Sequence, residues 1–373
     1  MKSTLSLILL FSLFGCSETK KEKIESYEPG FKTIQTVDRS RIYKPNTDTT
    51  DNLHFRPLDI DIWYPASVSK LDSPLLFRNI LGLLEKRANY YTASNQWTGV
   101  TSQIAQSFCE GSKCSDTTKL LNFKTQSFKD AKPNDGKFPL VIYLCAFNGM
   151  SYENFTLFES LAKKGFVVVS ISSIGRYPGD MTMKKEDLLE QVNDAIASLN
   201  AIKQNSNIDF SKIGIIGYSW GGLSSAILAS KISNVSCIIS LDGSEFHHYG
   251  EEKGENTDFT GIRNSPEFKN LRLSIPYLRL ESSNMISTNK EDSIYNFSEK
   301  LIGERYIFNI DSAKHEDFCC LSSIVRESGN CKTSHFYSTT LSLTLPFLED
   351  NLKSKHVFLN AIEQEINKTI TKK

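Results

Sequence analysis

The rhythm of apolar positions changes near residue 138. Before it, FKTIQTV (31–37) and LDIDIWYPA (58–66) alternate polar and apolar residues, which predicts antiparallel strands. After it, FPLVIYL (138–144), FVVVSIS (166–172) and the strand in KIGIIGYS are continuous apolar runs, as expected of strands buried on both faces. VSCIISLDGS (235–244), IPYLRLESS (275–283) and RYIFNIDSAKH (305–315) add further strands, each ending in polar residues. Helical segments lie between them. NFTLFESLAKKG has helical spacing and a terminal glycine. KKEDLLEQVNDAIASLNAIKQ places Leu188, Leu189, Val192, Ala195, Ile196, Leu199 and Ile202 on one helical face. WGGLSSAILASKI reads as a helix, and TLSLTLPFLEDNLK as a closing helix interrupted near Pro346. The alternation predicts an α/β fold, a mostly parallel sheet with helices on both faces, over residues 31–355. Residues 74–131 break the pattern and read as an inserted, lid-like helical segment over the sheet edge, and 356–373 as a C-terminal tail.

Composition narrows the class. Lys+Arg and Asp+Glu are equal at 43 each, so the basic excess of a nucleic-acid binder is missing. The N-terminus stands apart. Lys2 is followed by an apolar run from Leu5 to Phe14, too short to span a bilayer, which reads as a signal peptide over 1–15. The ending Leu13-Phe14-Gly15-Cys16 resembles a bacterial lipobox, which implies cleavage before Cys16 and acylation of that cysteine. An ordinary secretory signal cut elsewhere is the alternative. Residues 16–30 then form the lipidated cysteine and a charged tether. The expectation is an exported protein, anchored to a bacterial membrane on the periplasmic side or the cell surface.

An exported chain lies where disulfides persist, so the cysteines matter. Cys109 and Cys114 flank a tight loop that they are placed to close, and one pair is expected among Cys319, Cys320 and Cys331. Cys145 and Cys237 lie in apolar runs and read as buried free thiols. A zinc site from Cys319, Cys320, Cys331 and His335 fits no standard spacing.

The candidate chemistry centres on KIGIIGYSWGG (212–222), in which Gly-x-Ser-x-Gly follows a buried strand and opens a helix. A strained turn of this kind lifts the Ser219 hydroxyl above the sheet, and Gly217 and Gly221 remove side chains where strand and helix pass closely. A nucleophilic serine needs a base and the base an orienter, here in the order Ser, acid, His. Asp242 ends the strand after the elbow, with Glu281, one strand later, as the alternative acid. Of six histidines, His315 follows the last strand and is the expected base; His247 and His248 read as substrate-loop or surface residues.

The segments RPLDIDIWYPA, KFPLVIYL, IDFSKIGIIGYSWGG, IISLDGS and HEDF resemble the α/β-hydrolase branch that holds plasma-type platelet-activating-factor acetylhydrolases and dienelactone-hydrolase-like esterases. The resemblance implies carboxylic ester hydrolysis through an acyl-serine, without metal or other cofactor. It also implies the acid at Asp242 and the histidine at His315. The branch usually carries His-Gly where this chain reads Cys145-Ala146-Phe147. By position, the backbone N–H groups of Phe147 and Trp220 would form the oxyanion hole, with the first donor exposed to tilting.

The functional expectation is a serine esterase acting on short acyl or acetyl esters of small molecules, lipids or sugars. Leu75, Phe77 and Trp97 of the insertion are placed either over an acyl pocket or in the core. A serine peptidase or amidase on the same fold is a second reading. A catalytically weak, surface-anchored binding protein is the third, motivated by the Cys145-Ala146 departure.

Overall fold

The computed structural model describes residues 26–113, 116–246, 253–283, 297–366 and 368–372, with backbone alone over 253–256. The signal segment, Cys16, Cys114, His247 and His248 lie outside the described residues. The strands are β1 (Glu28–Ile42), β2 (Phe55–Ser67), β3 (Phe128–Lys129), β4 (Lys132–Pro133), β5 (Phe138–Leu144), β6 (Val167–Ile171), β7 (Ile208–Tyr218), β8 (Val235–Leu241), β9 (Tyr277–Ser282), β10 (Arg305–Ile310) and β11 (Ile370–Lys372). They form an 11-stranded sheet in the order β11-β10-β9-β8-β7-β5-β6-β2-β1-β3, with β4 paired to β2. From β6 to β10 the neighbours run parallel, while β1, β2 and β11 join antiparallel.

The continuous apolar runs have a direct consequence. Successive side chains of a strand point to opposite faces, so β5 sends Val141 and Tyr143 into one apolar cluster and Leu140, Ile142 and Leu144 into the other. β7 divides likewise, Ile216 and Tyr218 against Ile213 and Ile215. Helices Lys185–Ile202 and Trp220–Lys231 cover the second cluster; Phe155–Lys163 and Phe336–Lys353 cover the first. The helix Phe336–Lys353 runs unbroken through Pro346, so the expected interruption is not there.

The C-terminus is also more structured than a tail. Phe358, Ile362 and Ile366 follow helical spacing; the helix Phe358–Glu365 buries Phe358 against Phe347 and Tyr306. Ile370 is fully buried in β11, which pairs with β10. Strand β1 likewise begins at Glu28, inside the segment read as tether.

The insertion sits against β1, β2 and the helix Phe155–Lys163. Phe77 is fully buried and stacks on Phe155, Leu75 packs on the same core, and Trp97 is 42% exposed. Of the two placements expected for these residues, Leu75 and Phe77 thus take the core. Arg87 fixes the segment from within: its guanidinium bonds Asp61, Thr33 and the Ser151 hydroxyl, and pairs with Asp59. Breaking a buried pair by removing one partner leaves an uncompensated charge, so this contact holds the insertion in register with β2.

The cysteine pairings differ from expectation. Cys109, Cys319 and Cys320 are free thiols, and Cys331 is in a disulfide whose other half lies outside the described residues. Cys331 is therefore unavailable as a thiolate for the zinc set considered above. Cys145 and Cys237 are buried and free, as the apolar runs indicated.

Candidate active site

Ser219, Asp242 and His315 each follow the carboxyl end of a parallel strand, β7, β8 and β10 respectively. Ser219 has φ 55 and ψ −122, a conformation that costs a non-glycine residue about 1–3 kcal/mol and needs support from its surroundings. That support is visible. Ser219 N–H donates to Leu241 O at 3.0 Å, and Ser219 O accepts from Gly222 N–H and Ser244 N–H, both at 3.0 Å. A Cβ on Gly217 would meet Gly221 O at 2.1 Å, and one on Gly221 would meet Leu144 O at 2.0 Å. Both glycines are thus demanded by the closeness of the chain on either side of the serine.

The three side chains form one hydrogen-bonded line. His315 Nε2 lies 2.9 Å from Ser219 Oγ, and His315 Nδ1 lies 2.7 Å from Asp242 Oδ2. The Asp242 side chain is fully buried and that of His315 is 34% exposed. Burial alone would raise the Asp242 carboxyl. The hydrogen bond and charge of His315, the Arg279 charge and the Ser282 N–H outweigh it and hold the group below its ordinary range. An ionised acid, an imidazole bonded to it and a serine hydroxyl on the far nitrogen are what proton abstraction from serine requires.

Glu281, the alternative acid, is placed elsewhere. It is buried and its Oε2 accepts from Arg279 Nε at 2.7 Å. Arg279 also reaches Ser240 Oγ, Gly243 O and Glu245 Oε1, so it braces the turn that carries Asp242. Tyr218 braces the base. Its ring stacks on His315 at a centroid distance of 5.0 Å, and its hydroxyl donates to His315 O at 3.0 Å. Sequence reasoning missed both residues. An arginine between leucines in YLRLE was the available signal for Arg279.

Phe147 and Trp220 lie together, their rings edge to face at 5.8 Å. Among the described residues, neither backbone N–H donates to a protein acceptor. The chain before Phe147 is held instead. Ala146 N–H donates to Glu153 Oε1 at 2.9 Å, and Ala146 O accepts from Gly149 N–H at 2.8 Å. Asn154 ties this region to the histidine loop, donating to Phe318 O and accepting from Cys320 N–H and Tyr337 OH.

Glu153 itself is buried. Burial pushes its carboxyl up to about 7, only partly opposed by the Ala146 N–H and the Tyr143 hydroxyl. The native state therefore binds this proton more tightly than the unfolded chain, whose carboxyl titrates near 4.5. Stability falls as pH rises through that window and levels above it, by ~3 kcal/mol from this group. Asp242, shifted the opposite way, acts below the window. Urea unfolding at pH 5 and pH 8 checks this: Glu153→Gln should lose much of the difference shown by the wild type. An undiminished difference would assign the slope to other groups, Glu159 first, which is also raised to about 7.

Residues 127–258 match the model of the dienelactone hydrolase family. A ferulic acid esterase from Streptomyces cinnamoneus superposes with a TM-score of 0.60 at 17% identity, over 88% of this chain and 91% of that one. At that identity the likeness speaks for the fold. No curated protein matches the chain in sequence. The strand order, the strained serine turn and these two matches together show an α/β-hydrolase fold, with residues 127–258 similar to the dienelactone hydrolase family.

Proposed function

We propose that the protein is a serine hydrolase of carboxylic esters, working through an acyl-serine. Ser219 attacks the acyl carbon while His315 takes its proton and passes it to the leaving alcohol. Asp242 orients His315 and balances its charge. The N–H groups of Phe147 and Trp220 receive the oxyanion, and water then repeats the cycle to release the acid. The observation that carries this reading is the unbroken line Asp242–His315–Ser219, with 2.7 and 2.9 Å contacts. The match to the dienelactone hydrolase family supports an ester as the bond cleaved.

The preferred substrate is a short acyl or acetyl ester of a small molecule, lipid or sugar. The ferulic acid esterase likeness makes a phenolic acyl ester the comparison to include. Cys16 remains the proposed lipid attachment site, and the disulfide at Cys331 supports an exported location. Among the described residues no helix is long and apolar enough to cross a membrane.

A matched panel tests the reading: acetyl, butyryl, octanoyl and feruloyl esters, with acetyl and feruloyl amides of the same leaving-group class. Turnover concentrated on the acetyl or butyryl ester is expected. Dominant amide cleavage would transfer the proposal to the peptidase reading, and an inert folded protein to the binding-protein reading.

A further inference from the structure

Gln191 lies in the middle of the helix Lys185–Ile202, on its buried side, at 3% exposure. A glutamine amide offers two donors and an acceptor, and burying it unpaired is costly. Here both ends are used. Nε2 donates to Cys145 O at 2.9 Å and to Ser173 Oγ, and Oε1 accepts from Ser224 Oγ. The amide orientation is fixed by chemistry, because Cys145 O can only accept.

Its partners have a common feature. Cys145 opens the segment that presents the Phe147 N–H, and Ser224 lies on the helix Trp220–Lys231 that presents the Trp220 N–H. The first segment is then constrained at each peptide before Phe147. Cys145 O is held by Gln191 and, at 3.4 Å, by Ser173 Oγ; Ala146 N–H by Glu153; and Ala146 O by Gly149 N–H. Among the described residues, the Phe147 N–H meets no protein acceptor.

We propose that Gln191 is a positioning residue that sets the two oxyanion donors, Phe147 N–H and Trp220 N–H, in register by bridging Cys145 O and Ser224 Oγ. The inference rests on the acyl-serine reading above. Complete loss of one oxyanion donor costs about 10²–10³-fold in kcat. Loosening the register should cost less, about 10- to 100-fold, and should fall on kcat because the oxyanion forms only as the reaction proceeds.

The experiment compares Gln191→Met, Ser224→Ala and the double variant on p-nitrophenyl acetate, with thermal unfolding of each. The expected result is a drop in kcat with KM within about 3-fold. The Ser224→Ala loss should shrink in the Gln191→Met background, since the bridge is already cut. Wild-type kcat in folded Gln191→Met overturns the inference and leaves the acyl-serine reading intact. A raised KM at unchanged kcat also overturns it. If Gln191→Met does not fold, Ser224→Ala alone decides, with wild-type kcat counting against the bridge. A wild type inert towards every ester removes the reading and the inference with it.

Discussion

Ser219→Ala is expected to lower kcat by about 10⁶-fold and to abolish labelling by a fluorophosphonate probe, with the fold unchanged. The Ser219 hydroxyl bonds His315 Nε2, so its removal deletes the nucleophile and leaves the buried scaffold untouched. Alanine meets the same backbone demand at φ 55, and the bonds that hold the turn come from the main chain of residue 219. Folding stability should therefore change little. Residual rate above water, from the oxyanion donors and substrate binding, would persist at about 10³-fold. The measurements are kcat on p-nitrophenyl acetate, intact mass after the probe, and thermal unfolding. Labelling that survives in folded Ser219→Ala would place the activated nucleophile on another residue. A wild type that takes no label would show an elbow without activation, and the surface-anchored binding protein would become the better reading.

Much of this arrangement was legible in the sequence, for physical reasons that differ by element. Short continuous apolar runs rich in β-branched residues fit strands with both faces covered, so β5, β6, β7 and β8 and the parallel core followed from them. Glycine on both sides of Ser219 reported the close chain approach that the 2.0 and 2.1 Å contacts measure. Asp242 and His315 were found by strand ends and chain order. Other features had weaker signals. Gln191 and Asp194 occupy the buried side of their helix, while Leu189, Ile196 and Leu199, read as part of the apolar face, are only partly buried. Hydropathy cannot anticipate a polar residue whose partners lie on other strands and helices. Asp194, for example, meets Arg56 across a separation of 138 residues. The same holds for Arg279, which lies between Leu278 and Leu280 and bonds Ser240 and Glu245 on distant segments. The C-terminal helix and β11 were missed because three apolar residues at helical spacing and a lone Ile370 are too short a pattern to separate from a solvated tail.

Asp242→Asn is expected to lower kcat by about 10⁴-fold, and Glu281→Gln by less than about 10-fold. The asparagine effect follows from the two contacts of the carboxylate. Asp242 Oδ1 accepts from Ser282 N–H at 2.8 Å, and Oδ2 faces His315 Nδ1 at 2.7 Å. An asparagine must keep its oxygen towards Ser282, because an amide nitrogen there would oppose the Ser282 donor. Its nitrogen then donates to His315 Nδ1, which forces the proton onto Nε2, the atom facing Ser219. The imidazole is left in place but in the tautomer that cannot accept the serine proton, a loss of the size stated. The carboxylate of Glu281 instead pairs with Arg279 Nε at 2.7 Å, while Asp242 holds His315 Nδ1. Glutamine there should instead lower stability by about 3 kcal/mol, by weakening a buried ion pair. Rates and thermal unfolding of both variants separate the cases. A 10⁴-fold loss in Glu281→Gln with near-normal turnover in Asp242→Asn would transfer the acid's role to Glu281, against the hydrogen bonds seen at His315.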